Sequence, residues 1–292
     1  MKHIFLLNTF SLKERTKSIQ TRIEEILEQE RIDYEIEIIN EQHSTKEIVK
    51  KYRNQKVILL PVGGDGTINR VLNVMNPKKN ILGYIPYGTG NDFYRANKEL
   101  LNEGIQAIDL GKINDSYFIN VVCFGIDADI GNHSDIIHSK WIPKNSRYKI
   151  SILNHFFHYK PRELKIEIED KSHEEEYTTV CVCNGRYYGG GYKIAPYSSL
   201  TDGLLDIYLV SKTKKLEMIS LIAGMKYARH EKSNKTKKFQ SNKITIESKK
   251  PLECNVDGEI LKAKKFQIEM IPKGISIYYN PKLINQIIQK RK

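Results

Sequence analysis

The sequence predicts two domains, a parallel α/β domain followed by an antiparallel β-sandwich, and three observations predict it. The chain has 292 residues, more than one ordinary domain of about 100–200 residues uses. Strand and helix patterns alternate from His3 to Pro86. From Ala107 onward strands follow one another with little helix between them, the spacing of a sandwich.

His3 to Asn8 reads as a buried strand, and Ser11 to Arg31 as a helix with Ile19, Ile23, Ile26 and Leu27 on one face. Tyr34 to Asn40 is a strand and Ser44 to Tyr52 a short helix. Lys56 to Val62 is a strand running into Gly63-Gly64-Asp65-Gly66, with a helix over Thr67 to Met75. Ile81 to Pro86 is a further strand ending at a second glycine turn. This βαβαβ order implies a mostly parallel sheet with helices on its faces.

The second domain is expected from strands at Ala107 to Lys112, Tyr117 to Phe124, Glu163 to Asp170, Tyr177 to Cys183 and Leu204 to Val210. A helix near Lys214 to Arg229 precedes strands at Lys243 to Ser248, Leu252 to Val256, Lys264 to Ile271 and Ile275 to Tyr279. The polar stretch His133 to Arg147 reads as a loop or hinge. Leu283, Ile284, Ile287 and Ile288 give the last dozen residues helical spacing. The expected domains are 1–124, with 281–292 packing back on it, and 125–280.

Composition narrows the function. A net charge of +12 favours an anionic partner: a nucleotide, a nucleic acid or an acidic membrane surface. No apolar run approaches the roughly 18 residues of a membrane span, and Lys13, Glu14 and Arg15 interrupt any signal-peptide core. Cys123, Cys181, Cys183 and Cys254 show no C-x-x-C pair, so they read as buried reduced thiols in a cytoplasmic protein. Nucleic acid is not the expected partner, since no helix-turn-helix, zinc finger or stacking platform accompanies the basic residues. His155 and His158 lack an acidic third ligand and read as packing residues.

The chemistry lies in two glycine turns. Gly63-Gly64-Asp65-Gly66-Thr67 lets backbone N–H groups approach a polyphosphate, and the helix after it adds positive potential. Gly88-Thr89-Gly90-Asn91-Asp92 follows the next strand in the same way. In a parallel sheet both turns emerge at the carboxyl ends of strands, where ligands bind. Neither the P-loop pattern G-x-x-x-x-G-K-S/T nor a dinucleotide G-x-G-x-x-G at the first strand is present.

These turns, together with Asn184 to Ala195, Ser199 to Leu204 and Val256-Asp257-Gly258-Glu259, resemble the bacterial diacylglycerol kinase and YegS-like lipid kinase family. That family belongs with NAD kinase and phosphofructokinase in a superfamily sharing the GGDG turn. The resemblance implies an NAD kinase/phosphofructokinase-like α/β domain, a C-terminal antiparallel β-sandwich and an active site between them. It implies ATP bound by Gly63, Gly64, Asp65, Gly66, Thr67, Asn69, Arg70, Thr89, Asn91 and Asp92, completed by Asn8, Ser11 and Thr45. Mg2+ would be held by Ser199, Asp202 and Leu204, and the general base would be Glu259 or Asp257. Two carboxylates two residues apart share a face in an extended strand but diverge in a turn at Gly258. Asp127 is a further carboxylate able to face the site. The chain departs from the family's N-P-x-S-G opening at Asn8-Thr9-Phe10-Ser11-Leu12, and it has Arg70 where Glu is usual.

The implied activity is phosphoryl transfer from ATP to a lipid hydroxyl, with diacylglycerol as the expected acceptor. The basic stretch Lys226 to Lys243 and Tyr187-Tyr188 suit peripheral contact with an anionic membrane at its cytoplasmic face. Exposed sandwich edges are able to pair in a homodimer. The rivals are an NAD kinase-like or other small-alcohol kinase, and a non-catalytic lipid-binding regulator.

Overall fold

The computed structural model describes residues 1–125 and 159–289. Asp127, the stretch His133 to Arg147, His155 and His158 lie outside the described residues. Two units divide the chain: 1–110 with 200–203 and 271 onward, and 111–199 with 204–270.

The first unit is built on β1 (His3–Asn8), with β2 (Tyr34–Ile39) parallel on one side and β3 (Ile58–Gly63) parallel on the other. Every residue of β1 and β3 is buried, as parallel strands covered on both faces require. The helix expected from Ser11 is instead α1 (Thr9–Leu12), a 3-10 turn at Lys13–Arg15, and α2 (Thr16–Gln29). The break follows from the left-handed backbone of Lys13, φ 54°. Ile19, Ile23 and Leu27 form the buried face of α2. A capping box between Ser44 and Glu47 starts α3 (Thr45–Tyr52).

After β3 come α4 (Asp65–Leu72) and two short strands, β4 (Ile81–Leu82) and β5 (Ile85–Pro86), both parallel to β3. Gly83 separates them, at a position where a Cβ would lie 2.9 Å from the Leu60 side chain. Next is α5 (Asp92–Leu100), a helix not expected from the sequence because its first turn is hidden in the glycine motif.

β6 (Gly104–Ile113) ends in the second unit, which continues through β7 (Ser116–Phe118) and β8 (Val121–Gly125). The single strand expected over Tyr117 to Phe124 is broken at Ile119 and Asn120, whose N–H groups bond a carboxylate instead of a neighbouring strand. β9 (Arg162–Ile168) and β8 lie end to end between β10 (Lys171–Cys183) and the later β15 (Lys243–Val256). A small hairpin joins β11 (Tyr187–Tyr188) to β12 (Tyr192–Lys193), and β13 (Leu205–Ser211) pairs with β10. The helix α6 (Lys215–Met225) is followed by a 3-10 turn at Arg229–Lys232 and by β14 (Thr236–Ser241), a strand the sequence reading missed.

β15 replaces the two strands expected there, with a bulge between Glu247 and Leu252. β16 (Glu259–Tyr279) likewise replaces two. The pairs β6–β7, β8–β10, β9–β10, β10–β13, β13–β14, β8–β15, β9–β15 and β15–β16 are antiparallel. Its core includes Phe124 edge-on to Phe266, with centroids 4.9 Å apart, and alternating apolar residues of β8, β10, β13 and β15.

The end of β16 pairs parallel with β4 at Ile277 and Leu82, in the first unit. The chain then forms α7 (Pro281–Ile288), capped by Asn280, which accepts the Leu283 N–H at 2.9 Å. Leu283, Ile284 and Ile287 are buried, and Arg22 and Tyr87 donate to the Ile287 carbonyl at 3.0 and 2.9 Å. All four cysteines are free and buried; Cys123 and Cys181 face each other across β8 and β10 with sulfurs 3.5 Å apart.

Candidate active site

In the first unit the two glycine turns are locked together. β3 ends at Gly63, and the Gly64 carbonyl accepts the Thr67 N–H at 2.9 Å to start α4. The Gly63 carbonyl accepts the Tyr87 N–H at 2.8 Å, which ties the second turn to the first. Their backbones then touch: a Cβ on Gly88 would lie 2.4 Å from the Gly64 Cα, so Gly88 must be glycine. Asn91, in the left-handed conformation, closes the second turn by accepting the Gly88 N–H at 2.9 Å and donating to its carbonyl at 2.8 Å.

Asp65 makes the third link. Its carboxylate accepts the N–H of Asp92 at 3.1 Å and of Phe93 at 3.2 Å, the first turn of α5. Expected among the ATP contacts, it is turned by the structure onto a helix N-terminus, where a negative charge is favoured. Burial pushes its carboxyl above its ordinary value, against the pull of these donors. The first turn therefore presents the N-terminus of α4 at the carboxyl end of β3, while the N-terminus of α5 is already occupied by the Asp65 carboxylate.

Asn8 joins the first strand to this frame. Its side chain accepts the Phe10 N–H at 3.1 Å and donates to the Thr67 hydroxyl at 2.8 Å. The departure from the family's opening is thereby offset by a helix cap, with Leu12 buried. Ser11 is half-buried in α1, and Thr45 opens α3 after a different strand, β2. Asn69 is buried and accepts from the Asn73 side chain; Arg70 and Thr89 are exposed.

Leu200–Gly203 also belongs to the first unit. Asp109, buried in β6, accepts the Gly203 N–H at 2.6 Å and the Lys273 N–H at 2.8 Å, while its own N–H donates to the Leu200 carbonyl. Asp202 is exposed on the turn thus held, and Ser199 and Leu204 flanking it are half-buried. Among the described residues no three His, Cys, Asp or Glu side chains converge on one point. Ser199, Asp202 and Leu204 instead offer hydroxyl, carboxylate and main-chain oxygens, the hard donors that magnesium takes along with several waters.

The third group lies in the second unit, at the turn between β15 and β16. Asp257 and Gly258 both take positive φ, 49° and 96°. The Asp257 carboxylate accepts the N–H of Ile119 at 2.7 Å, of Asn120 at 3.1 Å and of Val121 at 2.7 Å. Around it, Asn184 donates to the Ile119 carbonyl at 3.0 Å and Asn120 to the Tyr187 carbonyl at 2.7 Å. Asp257 is 7% exposed, whereas Glu259 at the start of β16 is half-buried.

The sequence reading did not single out Asp109 or Asn120. Each is a polar residue inside an apolar run, Ile108-Asp109-Leu110 and Ile119-Asn120-Val121, and that mismatch is the signal that could have found them.

Comparisons with known proteins agree with this architecture. Residues 2–115 match the diacylglycerol kinase catalytic domain, and residues 120–279 the YegS C-terminal NAD kinase beta sandwich-like domain. The diacylglycerol kinase of Bacillus subtilis (strain 168) is 28% identical over 222 residues, 69% of this chain and 71% of that protein. That of Staphylococcus saprophyticus is 28% identical over 228 residues, 74% of each chain. A crystal structure of a diacylglycerol kinase from Bacillus anthracis str. Sterne has the same fold, with a TM-score of 0.71, 22% identity, and coverage of 97% of this chain and 98% of that one. With a catalytic domain and a sandwich domain matched in order over nearly its whole length, the chain belongs to the diacylglycerol kinase and YegS-like family of lipid kinases.

Proposed function

We propose that this enzyme transfers the γ-phosphate of ATP to a lipid hydroxyl, converting diacylglycerol to phosphatidic acid at the cytoplasmic face of a membrane. The observation that carries the proposal is the locked pair of glycine turns, in which Gly64 opens α4 and the Gly63 carbonyl holds the second turn against the first. Such a frame suits the triphosphate; phosphoryl transfer depends on positioning and charge stabilisation more than on covalent chemistry by the protein.

Gly64, Gly66, Thr67 and the second turn at Gly88 to Asn91 would hold the phosphates, with Asn8 setting the Thr67 hydroxyl. Arg70 in α4 and Thr89 in the second turn, both exposed, would meet the nucleotide. Asp65 acts through the α5 N-terminus, as a positioning residue. Ser199, Asp202 and Leu204 would hold Mg2+, which supplies neutralisation of the charge that gathers on the phosphates.

Glu259 is the general base. Asp257 binds three backbone N–H groups and holds the turn, and the half-buried Glu259 two residues on is the carboxylate assigned to the acceptor. It takes the proton as the acceptor oxygen bonds to the γ-phosphorus. The bond from that phosphorus to the β,γ-bridging oxygen breaks, and ADP leaves.

The test is transfer of labelled γ-phosphate from ATP with magnesium to diacylglycerol, ceramide, sphingosine and phosphatidylglycerol in mixed micelles, with NAD as a soluble control. Labelled phosphatidic acid is the expected product. Labelling of NAD alone would move the chain to NAD kinase chemistry, and binding of ATP without any transfer would favour a regulator.

A further inference from the structure

The helix α6 is apolar on two opposite faces. Met218, Leu221 and Met225 are buried. On the far side Leu216 is 81% exposed, Ile219 is 50% exposed and Ala223 is exposed; Tyr227, 65% exposed, continues the stripe just past the helix end. The intervals of three and four residues place these side chains in one row. A helix that already has one apolar face packed gains nothing in water from a second.

Cations border the row. Lys214 and Lys215 stand at the helix start, and Lys226 and Arg229 at its end, all exposed. The Lys226 ammonium and the Arg229 guanidinium lie over the Tyr227 ring, 5.9 and 5.5 Å from its centroid. Along the helix and the turn after it, a groove of about 600 Å3 is lined by Leu221, Tyr227, Arg229, Lys232 and Lys235, with Glu217 also on its wall. The acidic residues nearby are engaged: Glu217 accepts the Lys214 N–H at 2.8 Å, and Glu231 accepts the Tyr208 hydroxyl. His230, buried, ties the following turn to the Ile194 carbonyl at 2.8 Å, so the groove is backed by a fixed wall.

We propose that α6 and the turn after it form the membrane-docking surface of this enzyme. Leu216, Ile219, Ala223 and Tyr227 enter the interface of an anionic bilayer, and Lys226, Arg229, Lys232 and Lys235 meet its phosphate headgroups. A second copy of the chain is the poorer occupant, because pairing two such faces would set cation against cation in a protein of net charge +12. An apolar row with an aromatic at its end and basic residues around it has the composition of an interfacial helix. The choice of a lipid surface rests on the lipid-kinase function proposed above.

Sedimentation with sucrose-loaded phosphatidylcholine vesicles, with and without phosphatidylglycerol, tests the proposal. Wild-type protein should pellet with the anionic vesicles. L216E/I219E should lose at least about tenfold in partitioning, and K226A and K232A about fivefold each, as expected from about 1 kcal/mol per surface cation. All four residues are exposed, and an unchanged thermal midpoint would show that the fold is intact. Partitioning needs no turnover, so its loss in the variants would support the surface even if no lipid were phosphorylated. Transfer to a short-chain, monomeric diacylglycerol should be unchanged in L216E/I219E, which separates docking from chemistry. Wild-type partitioning by L216E/I219E would overturn the proposal. So would conversion of a dimer to a monomer by that variant in the absence of lipid, since the stripe would then cover a second copy.

Discussion

Replacing Asp257 by Ala removes the acceptor of three backbone N–H groups, those of Ile119, Asn120 and Val121, at 2.7, 3.1 and 2.7 Å. A hydrogen bond to an ionised group contributes about 1.5–3 kcal/mol, and donors left buried without a partner add their desolvation cost. Water entering at the turn restores part of this, so the expected loss is about 3–5 kcal/mol, comparable to breaking a buried ion pair. Glu259→Gln keeps the volume of a half-buried side chain and should change stability by no more than about 0.5 kcal/mol. Its transfer rate should fall by a factor of about 100 to 10,000, the usual share of a general base. Urea unfolding, read by midpoint and slope, measures the first quantity, and labelled-phosphate transfer the second. The two variants should therefore diverge, one losing stability and the other losing only rate. An Asp257→Ala protein as stable as wild type would refute the structural role of this carboxylate. A Glu259→Gln enzyme at the wild-type rate would refute the catalytic one.

Other outcomes follow from the same geometry. Gly88→Ala sets a Cβ 2.4 Å from the Gly64 Cα; forcing the turns apart should cost about 1–3 kcal/mol and weaken nucleotide binding at least about tenfold, read by a fluorescent ATP analogue. Asp65→Ala leaves the first turn of α5 without its acceptor and should destabilise by about 1–2 kcal/mol while raising KM for ATP; an unchanged KM would remove Asp65 from the positioning role. Burial pushes the Cys254 thiol up to about 12, so in the native protein it should resist iodoacetamide at pH 8 and react only on unfolding.

Much of the fold is legible in the sequence because it rests on local patterns. Burial on both faces makes β1 and β3 continuous apolar runs, and the face of α2 appears as Ile19, Ile23 and Leu27 at helical spacing. Elements defined by exceptions are not legible. α5 hides behind Asn91, whose left-handed backbone and cap on Gly88 depend on the neighbouring turn. β14 is polar and half-exposed, Thr-Lys-Lys-Phe-Gln-Ser, and is a strand because β13 offers it hydrogen bonds.

The candidate site divides in the same way. The available chemistry is written locally: two glycine turns after apolar strands, an Asp-Gly turn at Asp202, and two carboxylates around Gly258. The donors that three of the carboxylates meet come from the tertiary fold. Asp65 is spent on the N-terminus of α5, Asp109 on the turn at Gly203, and Asp257 on the N–H groups before β8. The partners lie 27, 94 and about 137 residues away along the chain, so no local pattern announces them. A buried carboxylate must find donors wherever folding brings them, and sequence spacing alone does not say where that is.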